Sequence, residues 1–453
     1  MRSVRERWVE EQEPKVAAAA TERDATRQGE ASEPDNASKG YRVCASASAG
    51  WAGCRSVRSI ALSLVIFNGS ALADDKASDP GPATHGGGIV TKASTEATGY
   101  ADTDHVDIVS PSISASIGDG VAGWSVGGHY LVDVVSAASV DIVSTASKGY
   151  HEVRQGGGAD ATMKMGNLTP GISGVLSSEP DYLSLAGGTT LSLDLMEKNV
   201  TPYLGLSYGQ DKVGRTDLPR SFWRDKQTMS GQLGVTFVID RSTIASLQAD
   251  AIAESGYLAK PYRYVPLFSS AAAATIEPGA SIAQVNATRL PERAAEQVPD
   301  ERHRFALTGR IAQRQDDATL RFDERVYADT WGLLASTTEF RLLADVSRRL
   351  TIIWPHLRFH AQNSVTFWQR AYLAQLGDNT RIGVPVIRTG DRELSELVTG
   401  TAGGGIRFKF VDDLRQPWTL VFEVDGSYEH YFDAIYISQR LSAFSTVAVE
   451  TQF

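Results

Sequence analysis

The sequence predicts an all-β fold, a single antiparallel transmembrane β-barrel of about sixteen strands, with fourteen as the alternative count. Three observations carry that expectation. Apolar residues alternate with small or polar ones from about residue 85 onward, connections between the alternating runs are short and long in turn, and an export-type segment stands ahead of them. The chain of 453 residues is long enough for two or three soluble domains or for one large barrel. Its hydrophobic content of 42% and mean hydropathy of -0.20 are low for a helical membrane protein. The apolar run at 60–67 is far too short to cross a bilayer as a helix. A barrel strand needs apolar residues only at alternate positions, so it passes unseen in average hydropathy.

Residues 1–54 are rich in Ala, Ser, Glu and Arg and show no apolar periodicity, so they cannot bury enough surface to offset their ordering entropy. They read as a disordered or mis-assigned extension. Arg55 and Arg58, the apolar core 60–67 and the small residues Ala71 and Ala73 ahead of Asp74 then form the parts of a secretory signal peptide at 55–73. A start codon near Val43 or Val57 would put that signal at the front of the chain. Residues 74–86 follow as a periplasmic segment, and the barrel is expected over 87–453. Both cysteines, Cys44 and Cys54, precede the cleavage site. The mature chain is therefore expected to hold no disulfide, thiolate metal site or Cys nucleophile. No apolar stretch precedes Cys54, which argues against lipidation.

The alternation is clearest in the middle of the chain. Leu183, Leu185, Leu191, Leu193 and Leu195 share one face, against Ser184, Thr190, Ser192 and Asp194 on the other. After a turn at 197–199, Leu204, Leu206 and Tyr208 resume the apolar face, opposite Thr201, Ser207 and Asp211. Met229, Leu233, Val235 and Phe237 repeat the scheme before a turn at 240–242, and Leu247, Ala249 and Ala251 follow it. Short turns recur at about 118–120, 314–317, 346–350 and 411–416. Longer connections recur at 136–149, 214–227, 255–301, 364–396 and 431–443. Short turns at one end and long loops at the other are the asymmetry of outer-membrane barrels. A chain that starts and ends in the periplasm needs an even number of strands, and this parity draws residues 89–95 into the barrel.

Aromatic residues gather near run ends: Trp124, Tyr130, Tyr208, Tyr257, Tyr262, Tyr264, Trp331, Trp354, Trp368, Tyr372, Trp418 and Tyr428. They read as interfacial girdles. Phe453, closing an alternating strand, reads as the signal presented to the barrel-assembly machinery.

At Tyr130, Asp133, Ser136, Ser139 and Asp141 the chain resembles a domain-of-unknown-function family of proteobacterial outer-membrane proteins. The likeness continues through Ser178 to Tyr182, Gly256 to Leu258 with Pro261 and Tyr262, Pro299 to Arg304, and Asp329 to Gly332, covering roughly residues 105 to 453. The resemblance implies an outer-membrane barrel and brings no known activity.

Chemistry must then be sought on the inward face. Alternation turns Arg302, Arg304, Arg310 and Arg314 inward from one strand, and Arg321, Asp323 and Arg325 from its partner. Glu339 with Arg341, then His356, Arg358 and His360, follow on the next two. Asp194, Asp211, Asp250, Glu254, Glu423, Asp425 and Glu429 are expected on the opposite wall, which would set a transverse field across a water-filled lumen. The competing expectation is that these charges pair and plug the interior. His356 and His360 lie about 13 Å apart on one face, too far to share a metal, and His129 carries no motif. No phosphate loop, HExxH or nucleophile elbow is present, and no metal or cofactor is expected. Gly403, Gly404 and Gly405 are expected to open a strand where backbones approach closely. The net charge of -10 argues against nucleic acid. The expected role is passive passage of small hydrophilic solutes across an outer membrane of lipid and lipopolysaccharide. A closed structural or ligand-binding barrel and a transporter of hydrophobic compounds are the alternatives, and an enzyme is not expected.

Overall fold

The computed structural model describes residues 88–104, 106–136, 151–216, 218–376, 382–412 and 416–453. The extension, the signal segment with Ala71 and Ala73, and the segment 74–86 lie outside the described residues, as does the part of the family-like motif beyond residue 136. Sixteen antiparallel strands close into one barrel. Its first nine are β1 (Ile89–Asp102), β2 (Asp107–Asp119), β3 (Trp124–Ser136), β4 (His151–Met163), β5 (Leu168–Ser178), β6 (Tyr182–Leu193), β7 (Val200–Val213), β8 (Arg224–Val238) and β9 (Thr243–Gly256). Two short strands outside the wall intervene, β10 (Tyr264–Phe268) and β11 (Arg293–Ala295). The wall resumes with β12 (Glu301–Gln315), β13 (Ala318–Asp329), β14 (Leu334–Ser347) and β15 (Leu350–Gln362). Three more outlying pieces follow, β16 (Tyr372–Leu373), β17 (Gln375–Leu376) and β18 (Ile382–Gly383). The wall ends with β19 (Leu397–Val411), β20 (Trp418–Tyr431) and β21 (Gln439–Gln452), and β21 pairs with β1 to leave no free edge.

The strand expected at 89–95 runs on to Asp102. The turn at 164–167 and the tight connections at 103–106, 179–181 and 330–333 complete the sixteen. Alternation fixes which face meets which medium. Val109, Ile113, Ile172, Leu185, Leu206, Leu233, Phe305, Val326 and Phe359 all point outward and are exposed. A continuous apolar outer face on a closed sheet is stable against hydrocarbon, where every backbone group already has its partner.

Gly403, Gly404 and Gly405 do not open a strand but sit in the middle of β19. Their missing side chains are structural. A Cβ on Gly403 would lie 2.0 Å from Asp425 Oδ1, and one on Gly404 would lie 2.4 Å from the Ile353 carbonyl. The β14–β15 and β15–β19 registers both slip beside this triplet, so the glycines make room where the wall bends.

The described residues of the two long loops fold over the loop end of the barrel. In residues 257–300, β10 pairs with β11, and two short helices follow β10 at Ser270–Ala273 and Ile282–Thr288, the second held by a capping box of Ser281 and Gln284. β10 also pairs in parallel with β16 of the loop 363–396, through Leu267 with Tyr372 and Phe268 with Leu373. Phe268, Ile276 and Val285 form one core of this cap, and Trp331, Val365 and Leu394 another. Tyr262, Trp331 and Tyr372, expected at the membrane interface, are buried inside the cap instead. Tyr208, Trp354 and Tyr428 do face outward. Phe453 is exposed, packs edge-on against Trp418, and donates its backbone N–H to the Thr91 carbonyl.

Candidate functional site

The candidate site is the lumen wall together with the cap that closes over it. Backbone alternation aims Arg304, Arg310, Arg321, Arg325, Arg341 and Arg358 inward from β12, β13, β14 and β15. Their partners are not across the lumen. β9 lies beside β12, because the 257–300 loop returns the chain to the neighbouring strand. Glu254 therefore pairs with Arg304, and Asp250 takes Arg325 at 3.0 Å. Asp323 accepts from both Arg310 at 2.8 Å and Arg321 at 2.6 Å. Glu339 lies 2.6 Å from Arg341 and 3.9 Å from Arg358. The acidic wall expected opposite the basic one is thus largely interleaved with it, and local pairing replaces the transverse field. Asp194, near the turn end, pairs instead with Lys164 at 2.5 Å.

From β20, Asp425 lies across Gly403 and reaches His356 Nδ1 at 2.8 Å, and Glu423 lies across Gly405 in the same way. The far ring nitrogen of His356 sits 3.4 Å from Glu339. A carboxylate–imidazole–carboxylate row therefore spans β20, β15 and β14, and the glycine triplet is what lets it form.

Height in the barrel divides these charges. Toward the loop end they are sealed: the side chains of Arg304, Arg154 and Lys226 are 8%, 7% and 8% exposed, with Asp133 and Glu254 at 0%. Toward the turn end Arg314 is 36% exposed and Arg407 30%, and at mid-wall Arg325 is 34% exposed. Lys92, also inward on β1, is exposed. Burying a charge is tolerated only with a partner in reach, and the sealed tier meets that demand. Lys226 lies between Asp211 at 3.6 Å and Glu254 at 3.1 Å, and Arg154 meets Asp133 at 3.2 Å.

The cap is latched to this sealed tier. A single turn of 3₁₀ helix, Arg392–Leu394, carries Arg392 to Asp104 at 2.7 Å and Glu393 to Arg440 at 2.9 Å. Arg440 also meets Glu429 at 2.5 Å, and the Tyr431 hydroxyl lies 2.8 Å from both Glu393 and Glu429, which share its one hydrogen. Elsewhere on the rim, the Tyr262 hydroxyl donates to Asp181 at 2.7 Å and accepts from the Thr216 backbone N–H at 2.7 Å. Trp368 donates to the Asp433 carbonyl at 2.8 Å. Within the cap, Arg263 bridges Glu296 at 3.3 Å and Asp391 at 2.7 Å. Burial and the neighbouring Arg263 push the Lys260 ammonium down to about 7, and burial raises the Tyr372 hydroxyl to about 12. Sequence reasoning missed the residues that matter most for the latch, Asp104, Arg392, Glu393 and Arg440. Their sequence context gives no signal, since Asp104 lies between Asp102 and Asp107 and Arg392 and Glu393 lie in the polar run 388–396.

The other side of the lumen is different in kind. From β2 to β8 the inward residues are mostly Ser, Thr and Gly, among them Ser112, Ser114, Ser116, Ser173, Thr190, Ser207 and Ser230. Several pair across strands, as Ser207 with Ser230 at 2.5 Å and Ser125 with Thr162 at 2.7 Å. Such a wall leaves space and offers hydroxyls to water or to a hydroxylated solute.

Residues 215–450, more than half of the chain, match the family described as protein of unknown function (DUF3570). No curated protein matches the sequence. Among solved structures, the chain is similar to the siderophore receptor PirA from Acinetobacter baumannii, with TM-score 0.39 and 8% identity over 76% of this chain and 53% of that one. It thus spans about half the length of that receptor. It is also similar to the outer membrane protein opdK from Pseudomonas aeruginosa, with TM-score 0.39 and 7% identity over 81% of this chain and 99% of that one. A bacterial polysaccharide outer membrane secretin matches with TM-score 0.39 and 8% identity over 80% and 98% of the two chains.

Proposed function

On the premise that this chain belongs to the family described as protein of unknown function (DUF3570), we propose that it sits in the outer membrane and passes small hydrophilic solutes through a lumen narrowed by its own cap. The observation that carries this reading is the contrast along the wall between charges sealed at the loop end and the solvated Arg314 and Arg407 at the turn end. A barrel built only as a scaffold has no need for a wall of hydroxyls facing solvated arginines. Solvated Arg314 and Arg407 near the periplasmic end, and solvated Arg325 at mid-wall, support a conducting vestibule below the cap, with ion pairs setting the field there. The role is passive and non-enzymatic. Lipid and lipopolysaccharide would surround the apolar outer face, and the barrel-assembly machinery would insert it.

The buried latch favours one rival, a closed structural or ligand-binding barrel, because Arg392, Arg440, Glu393 and Glu429 fill the mouth with mutually satisfied charge. Single-channel recording in planar bilayers separates the two. The passage reading expects small, ion-selective conductance from the intact protein, and larger conductance once the latch is broken by Arg440→Met. Silence from both proteins, each verified as folded by heat-modifiable migration, would defeat it in favour of the closed barrel.

A further inference from the structure

The outer face contains one residue that passage does not use. Glu324 lies in the middle of β13, and alternation turns it outward between exposed Phe322 and Val326, while Asp323 and Arg325 face the lumen. Among the described residues it is the only charged side chain on the outer face away from the strand ends. Asp107, Asp119, Lys212, Asp225, Glu301 and His303 all fall within three residues of an end. A carboxylate in the middle of a lipid-facing belt is costly and marks a functional site. Its oxygens accept from the outward hydroxyls of Ser336 and Thr338 on β14, each at 2.6 Å. That makes a small polar island with both donors and acceptors in an apolar surface.

The ground around the island is uneven in a specific way. On one side Gly309 of β12 is the register partner of Glu324, and nothing lies within 4 Å of where its Cβ would be. Toward β8 the surface continues as a groove of about 680 Å³, lined among others by Gly231, Ala249, Ala251, Phe305 and Leu307. On the other side, Thr338 is paired with Phe359 of β15, whose ring stands exposed. A groove and an aromatic ridge therefore flank one polar island.

We propose that this face is the interface with a second copy of the chain, arranged about a two-fold axis along the membrane normal through Glu324. Such a rotation sets the groove of each copy against the ridge of the other, the self-complementarity that an isologous contact requires. It also lets the Ser336 and Thr338 hydroxyls of one copy serve the Glu324 carboxylate of the other. Acyl chains would fill the groove but add nothing polar to the two hydroxyls that Glu324 already holds within its own chain. In membranes, small residues that permit close approach and polar side chains that bridge are the means of association.

Disulfide trapping in the outer membrane tests this, using the full chain with Cys44→Ser and Cys54→Ser as background. Gly309→Cys, beside the axis and with free space for a side chain, is expected to give a covalent dimer on mild oxidation. Ala115→Cys, outward on β2 and far around the wall, is expected to stay monomeric. Adding Glu324→Leu should lower the dimer yield several-fold while heat-modifiable migration reports a folded barrel, and Glu324→Gln, which keeps an acceptor, should retain most of it. No dimer from Gly309→Cys, equal dimer from Ala115→Cys, indifference to Glu324→Leu, or a trapped band containing a different protein would each overturn the proposal.

Discussion

Arg304 and Arg314 stand on the same strand, point the same way and each face a carboxylate, yet they live in different solvents. Arg304 is sealed with Glu254 beneath the cap, whereas Arg314 meets Asp345 at 2.8 Å in a pair that is about one-third exposed. The lesson for this pair is that cover, here supplied by the cap, decides what an inward charge does. Under the cap a charge is a structural component whose partner is compulsory. Below it the same side chain is free to shape the field felt by a passing ion.

The sharpest way to break that contrast is to remove one carboxylate from each tier. Glu254→Gln strands Arg304 and Lys226 without their shared counter-charge, and should cost about 3–5 kcal/mol of stability, as for other broken buried pairs. Asp345→Asn should cost no more than about 1 kcal/mol, the scale of a solvated pair. Urea unfolding in liposomes measures both, and equal losses would end the distinction. Next in size is the latch: Arg440→Met should raise single-channel conductance several-fold, while Arg407→Met at the turn end should leave the mouth unchanged. A smaller effect is expected from Arg325→Gln, which should shift the reversal potential toward cations with stability held within about 1 kcal/mol.

A separate, pH-dependent effect belongs to Lys260, half-buried in the cap with its ammonium depressed to about 7 from 10.5. A depressed lysine means that folding disfavours the charged form, so its contribution to cap stability declines as pH falls from about 10.5 to 7 and is level below that. Hydrogen exchange of cap amides between pH 7 and 10, corrected for the intrinsic rate, should show this slope, and Lys260→Met should flatten it.

The wall was legible because a barrel strand writes itself in period two. Leu183 to Leu195 and Met229 to Phe237 declare their faces without any knowledge of neighbours, and parity then supplied β1. Pairing was not legible, because it depends on which strand returns beside which. Glu254 and Arg304 are separated by the whole 257–300 loop, and nothing local says that β12 comes back next to β9. The cap was hidden for a similar reason. Tyr262, Trp331 and Tyr372 carry the composition of an interfacial girdle, and only tertiary packing assigns them to the interior of a lid. Glu324 could have been flagged by its parity alone, as a charge on the apolar side of its strand.

The parallel pairing of Leu267 with Tyr372 has a kinetic meaning. It ties together two segments separated by β12 to β15, and the latch they support needs Glu429 and Arg440 from the last two wall strands. The lid therefore cannot be completed until β20 and β21 have docked, which is also the moment at which β1 gains its last neighbour. Contacts of such long sequence separation form late and slowly. A mature lid is thus a record that the wall has closed, and a barrel released too early would be recognisable by its gaping mouth.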